Sequence, residues 1–194
     1  MPKSLQDQFE RIYSRDREEW NRWLSENHET SPGVWIIYYK KNSNKPGISY
    51  DDAVEEALSF GWIDSKVNAL DEERYMQVFT PRKPGSTWSK LNKQRIEKLM
   101  KNGLMKPSGL EKVEAAKKDG SWNFLDDIEN LVIPEDLREI LGQNPSASKS
   151  YEAYTDSVKK QVLYWIASAK RNETRIRRIK KIVKKAENNE NPFD

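Results

Sequence analysis

Ser49-Tyr50-Asp51-Asp52-Ala53-Val54-Glu55-Glu56-Ala57-Leu58-Ser59-Phe60-Gly61-Trp62-Ile63-Asp64-Ser65 holds a helix, its stop and a strand in one short run. Ser49 with Asp52 three residues on is a capping-box-like start, Ala53, Val54, Ala57 and Leu58 form the buried stripe, and Gly61 ends the turn. Trp62-Ile63-Asp64-Ser65 then reads as extended chain. Outward from here, Val34-Trp35-Ile36-Ile37-Tyr38-Tyr39 is β-branched and aromatic throughout, and it closes on Lys40, Lys41 and the turn-forming Asn42-Ser43-Asn44-Lys45-Pro46-Gly47. Arg74 to Thr80 reads as a third strand after a polar turn at Ala69-Leu70-Asp71-Glu72-Glu73. Ahead of them, Ser14 is placed to cap a helix through Trp20, Trp23 and Leu24 that ends near His28.

From Ser89 the periodicity is helical to the end. Helices are predicted over 89–102, stopped by Gly103; 107–118, opened by Pro107; 134–141; 145–153; 156–170; and 172–187. The expected fold is therefore α+β: a small three-stranded mixed sheet with helices in the N-terminal half, residues 1–105, followed by an all-helical C-terminal module, residues 106–187, and a disordered tail over 188–194.

Composition excludes much chemistry. Of 194 residues none is cysteine and one, His28, is histidine. Disulfides, thiolate nucleophiles and cysteine-based metal sites are ruled out, and His28 alone cannot make a two-histidine zinc site, so no cofactor or metal is expected. His28 also lies where a helix gives way to loop, an unpromising place for a triad base. The first residues, from Met1, carry no apolar run and no stretch is long enough to span a bilayer, which predicts a cytoplasmic protein without membrane insertion. Mean hydropathy is −0.97, yet 7 Trp, 8 Tyr and 5 Phe supply an aromatic core. An enzyme would have to work through Asp, Glu, Lys, Arg, Tyr or Ser, without a P-loop or a Gly-x-Gly-x-x-Gly turn.

Two regions can carry function. If the strands of Asp64 and Thr80 are sheet neighbours, the following loop brings Arg82, Lys83, Trp88 and Asn92 towards Trp62, Asp64 and Ser65. That set of cations, a carboxylate, hydroxyls and flat walls suits a small anionic or aromatic ligand, or a peptide. The structural alternative is that Asp64 pairs with Arg82 to fix the loop while Trp62 and Trp88 are core. The second region is the chain end, where residues 170–185 hold nine Lys or Arg against Glu173 alone. That is +8 within a total of +3, leaving about −5 elsewhere. Lys170, Arg171, Arg175, Arg177, Arg178, Lys181 and Lys184 can contact nucleic acid or another polyanion, but no aromatic is interleaved with them in sequence. The alternative is a solvated helix that packs its Ile176, Ile179, Ile182 and Val183 stripe.

Several segments taken together resemble the YdeI/OmpD-associated family: Trp20 with Trp23-Leu24, Ser31-Pro32-Gly33-Val34-Trp35, Ala53-Val54-Glu55-Glu56-Ala57-Leu58 through Ser65, Phe79-Thr80-Pro81-Arg82-Lys83-Pro84, and Tyr164-Trp165-Ile166 running to Arg177-Arg178-Ile179. The resemblance implies a stress-response role in bacterial protection against bacteriocins and cationic antimicrobial peptides, and it transfers no catalytic residue. A basic tail repels a cationic peptide, so contact with one would have to use the acidic body.

Overall fold

A computed structural model of the protein describes residues 9–43 and 45–193. The elements are β1 (Glu10–Tyr13), α1 (Arg17–Asn27), β2 (Val34–Tyr39), α2 (Tyr50–Ser59), β3 (Trp62–Ala69), β4 (Arg74–Pro81), α3 (Lys90–Lys101), α4 (Pro107–Asp119), α5 (Asp126–Glu129), α6 (Glu135–Gly142), α7 (Pro145–Ala153), α8 (Asp156–Ala167) and α9 (Asn172–Glu187). They fall into two compact units that divide between Trp122 and Asn123, not at the expected 105/106. The reason is α4, which buries Val113 and Ala116 in the core of the sheet.

The sheet has four strands in the order β1-β2-β4-β3, where three were expected. β1 pairs parallel with β2, and β2–β4 and β3–β4 are antiparallel. The missed strand is Glu10-Arg11-Ile12-Tyr13, an edge with one apolar aliphatic residue and no run for the eye to catch. Its hydrogen bonding to β2, not its composition, makes it a strand.

On β2, Val34, Ile36 and Tyr38 face the helices and join Trp62, Phe79, Trp20, Leu24, Leu58 and Ile96 in one core. Trp35, Met76 and Val78 form a second cluster on the opposite face, with Ile37 against it. Two buried indole N–H groups of the first core are satisfied: Trp20 donates to the Ala53 carbonyl at 3.0 Å and Trp62 to the His28 carbonyl at 3.1 Å. Ser49 caps α2 as expected, accepting from the Asp52 N–H. For α1 the cap is Asp16 rather than Ser14, which is buried and donates to the Asp16 carbonyl.

α2 is clamped by charge on its far side. Glu55 and Glu56 are buried but fully engaged. Arg17 bridges Asp52, Glu55 and Glu56, Asn21 donates to Glu56 at 2.6 Å, and Lys98 donates to Glu55 at 2.7 Å.

The second unit is all helical around Leu137, Leu141, Tyr151, Val162, Ile166, Ile179 and Ile182. Residues 188–193 are not loose. The Tyr154 hydroxyl donates to the Glu190 carbonyl, Lys185 pairs with Glu190, and the Phe193 ring meets Trp165 edge-on at 5.9 Å. Asn44 of the predicted turn and Asp194 of the predicted tail lie outside the described residues, as does the N-terminal stretch up to Gln8.

One contact makes a sharp test. A Cβ on Gly109 would lie 2.1 Å from the Ser59 carbonyl oxygen, which already accepts the Lys106 N–H at 3.0 Å. Alanine is the better helix former by about 1 kcal/mol, yet Gly109→Ala is expected to destabilise by about 2 kcal/mol because overpacking against backbone outweighs propensity. Denaturant melts of the two proteins decide it, and a Gly109→Ala protein equal to or more stable than wild type would refute the contact.

Candidate functional site

The strand pairing expected for the site is present: Ile63 lies opposite Thr80, and Asp64 opposite Phe79, with a bulge between Asp64 and Val67. What the pairing gathers is two separate places. Trp62 and Trp88 are buried members of the core, each 1% exposed. Ser65 is exposed on the edge strand, and Thr80 is half-buried.

Asp64 does not pair with Arg82. Its carboxylate accepts the Tyr50 hydroxyl at 3.1 Å and the Gln77 amide at 2.5 Å, so two neutral donors hold it on the helix side of the sheet. Asn92, at the start of α3, accepts from Arg95 at 2.9 Å, and Arg95 in turn reaches Asp51. The Arg82 side chain is engaged instead by Thr87 and Trp88, while Asp64 takes Tyr50 and Gln77, both on its Oδ2. Neither of them stood out in the sequence.

Arg82 occupies the other place. Its backbone N–H donates to the Gly61 carbonyl at 2.9 Å, which turns the chain away from the sheet just beyond β4. The guanidinium lies flat on the Trp88 indole at 3.5 Å, and one Nη donates to the Thr87 carbonyl at 3.2 Å. The residue is 4% exposed and its Nε has no hydrogen-bond partner. Among the described residues no carboxylate pairs with it. Burial accordingly pushes the guanidinium down to about 10, against a raising influence from Asp64.

Arg82 forms one wall of a cleft of about 60 Å³ between the loop Lys83-Pro84-Gly85-Ser86 and α4. Lys112, Asp119 and Ser121 complete it. Gly85, at φ 72°, lets the loop turn so that its N–H donates to Asp119 at 3.1 Å. Hydrogen bonds from Ser121 and Gly85 hold the Asp119 carboxyl below its ordinary value. The cleft thus carries three cations, Arg82, Lys83 and Lys112, against one carboxylate already committed to backbone donors. Its volume accommodates a group the size of two waters or one small oxyanion.

The basic residues of the second unit divide by what they touch. Arg175 makes a two-pronged pair with Asp136 at 2.6 and 2.9 Å, and Arg178 caps the Trp165 carbonyl and the Ser168 hydroxyl while lying over the Trp165 ring. Lys181 also approaches that ring, at 5.8 Å. Lys170, Arg171, Arg177, Lys180 and Lys184 are exposed and make no side-chain ion pair among the described residues. Also among those residues, no group of three or more metal-ligating side chains is placed to hold an ion, and no helix is long and apolar enough to cross a membrane.

The Arg175 pair titrates. Arg175 hydrogen bonding holds the Asp136 carboxyl below the usual carboxylate range. Its stabilising effect is complete above the unfolded carboxylate value of about 4 and disappears as pH falls through the lower folded value. Melts of Asp136→Asn are expected to be lower than wild type at pH 7 and to approach it as pH falls below about 4. Parallel curves across that range would remove the pair from the stability of this unit.

Comparison with known families gives two matches, one inside each unit. Residues 12–112 match a domain of unknown function (DUF8412), just over half of the chain, and residues 130–189 match the family described as bacteriocin-protection, YdeI or OmpD-associated. The stretches from Trp20 to Pro84 that carried the resemblance fall in the first match, and Tyr164 to Ile179 in the second. No curated protein and no solved structure matches.

Proposed function

We propose that this chain, which belongs to the DUF8412 family and carries a bacteriocin-protection segment over residues 130–189, is a binding protein whose N-terminal unit captures a small anionic group at Arg82. One observation carries the reading: a guanidinium 4% exposed, with an unpartnered Nε and no carboxylate, on the wall of a cleft. An unpaired buried charge costs several kcal/mol, and proteins retain one where an opposite charge completes it. The cleft is too small for an aromatic ring or a peptide side chain beyond its terminal group. Its occupant is a phosphoryl, sulfuryl or carboxylate group, with any larger remainder of the ligand outside.

Nothing in the cleft pairs a nucleophile with a base, which favours binding over catalysis. Asp119 is the one ionised oxygen group there, and its lone pairs receive the Gly85 and Ser121 N–H groups. Arg82 with Lys83 and Lys112 then acts as a fixed electrostatic receptor, and the Trp88 face holds the planar guanidinium in place.

Orthophosphate and sulfate are expected to raise the melting temperature of the wild-type chain beyond a potassium chloride control at equal ionic strength, by mass action on the folded state. Arg82→Met should fold, be at least as stable as wild type without added anion, and show no anion-specific shift. Lys83→Ala, on the exposed loop, should weaken the shift several-fold without touching the core. Equal responses of wild type to phosphate and chloride would end the proposal.

A second reading rests on six exposed cations without an ion pair among the described residues, Lys170, Arg171, Arg177, Lys180, Lys181 and Lys184, which suit a polyanion. The structure also brings the Trp165 ring of α8 beside Arg178 and Lys181, an aromatic among cations that the linear sequence lacks. Because Arg175 and Arg178 are engaged internally, the log–log salt slope for single-stranded nucleic acid is expected to reflect at most these six cations. Arg177→Glu with Lys184→Glu should abolish retention, and retention indifferent to salt would exclude this reading.

A further inference from the structure

The C-terminal unit contains a cavity of about 220 Å³ walled mainly by Phe124, Ile128, Val132, Leu163 and Ile166. It is half-open to solvent, so its apolar floor can receive the hydrocarbon part of a small ligand while a polar end stays at the rim. Its wall also includes a backbone feature of unusual cost: Leu131, at φ 56°, sits in the left-handed region where glycine is usual, and the turn it makes brings Val132 and Pro134 to the cavity. Val132 is 45% exposed although it lines an apolar space.

Two charged residues line the same cavity, and they are not equivalent. Arg175 is neutralised, with its Nε and one Nη held by Asp136 and its other Nη turned to the Ile166 carbonyl at 3.5 Å. Asp127 is exposed, and its carboxylate makes no hydrogen bond or ion pair with any described residue. Only its backbone carbonyl is engaged, accepting the Val132 N–H at 2.8 Å. The uncompensated charge at the cavity is therefore negative.

We propose that this cavity binds a small apolar molecule bearing a protonated amino group, the hydrocarbon part among Phe124, Leu163 and Ile166 and the ammonium at Asp127. The cavity holds a branched alkyl chain or one aromatic ring, not a fused pair. A carboxylate in the same place would meet the Asp127 charge with no free cation to offset it. This site is independent of the anion cleft at Arg82, which lies in the other unit.

The experiment titrates the isotopically labelled full chain with 2-phenylethylamine, and with 2-phenylethanol and 3-phenylpropionate as near-isosteric neutral and anionic controls. The expected result is saturable shifts of the Val132, Leu163 and Ile166 resonances, tightest for the amine and weakest for the carboxylate. Asp127→Asn should lower amine affinity about three-fold and leave the alcohol unchanged, in keeping with a solvent-exposed ion pair. Ala167→Phe, which fills the cavity from the end of α8, should abolish binding of all three, and Val132→Trp, at a half-exposed position, does the same should the first variant fail to fold. Saturable binding of the amine no tighter than that of the alcohol overturns the charge assignment. No saturable shift at these residues, or binding undiminished in a folded cavity-filling variant, overturns the site.

Discussion

The N-terminal unit turns on the joint where α2 ends. Ser59, Phe60 and Gly61 meet two separate pieces of chain, Arg82 and the start of α4, within a few ångströms. The Ser59 carbonyl accepts the Lys106 N–H, the Gly61 carbonyl accepts the Arg82 N–H, and Gly109 presses on Ser59 with no room for a Cβ. Gly61 itself, at φ 77°, would place a Cβ 2.7 Å from Lys112 and 3.0 Å from the Ser108 carbonyl. Two glycines thus let α4 lie directly against the end of α2, and the backbone bond to Arg82 ties the exit of β4 to the same point. The cleft between the Lys83–Ser86 loop and α4 is a consequence of this joint. Shift α4 outward by one methyl group and both Lys112 and Asp119 leave the neighbourhood of Arg82.

The same unit treats its buried charges in two opposite ways. Glu55 and Glu56 are as buried as many core residues, yet every charge there has a partner: Arg17 spans three carboxylates, Lys98 takes one more, and Asn21 fills a remaining lone pair. Such a network fixes α1 and α3 on α2 and leaves no electrostatic demand unmet. Arg82 receives one carbonyl and an indole face. In a protein able to satisfy two adjacent buried glutamates, the incomplete shell of Arg82 is the exception, and it is this shell that the proposed anion would complete. Desolvation lowers its proton affinity to about 10, so the guanidinium stays charged at neutral pH, and the proposed anion would supply the counter-charge it lacks.

Helices and central strands were legible because their periodicities are strong and their ends are marked: Ser49 before α2, Gly61 after it, Pro107 and Pro145 at first turns, Gly103 past α3. β1 was not, since Glu10-Arg11-Ile12-Tyr13 has the composition of a loop and becomes a strand only by lying beside β2. The neighbourhood of Asp64, Thr80 and Arg82 was legible as a neighbourhood. Which side chains meet within it was not. The bulge after Asp64 and the reach of Tyr50 from the first turn of α2 decide the partner of that carboxylate, and neither has a sequence signature. The Pro84-Gly85-Ser86 loop reads as a turn in sequence, but its docking on Asp119 depends on α4 being close, which depends in turn on Gly109.

The last helix shows why formal charge misleads. Nine basic residues against one acid over 170–185 suggest a surface built for polyanions, yet two of the arginines have structural work: Arg175 ties α9 to Asp136 at the start of α6, and Arg178 closes the C-terminal end of α8 by taking the Trp165 carbonyl and the Ser168 hydroxyl. The choice of arginine over lysine follows from that work, since a planar fork can hold two oxygens at once while stacking on an indole. Arg177 and the lysines other than Lys185, which pairs with Glu190, carry no such geometry and stay in solvent. Arginine where carbonyls and carboxylates need fixing, lysine where only charge is presented, is a division that the structure reveals and a count of charges conceals. It also places the aromatic at the boundary of the two roles, because Trp165 is held by Arg178 on one side and open to Lys181 and Phe193 on the other.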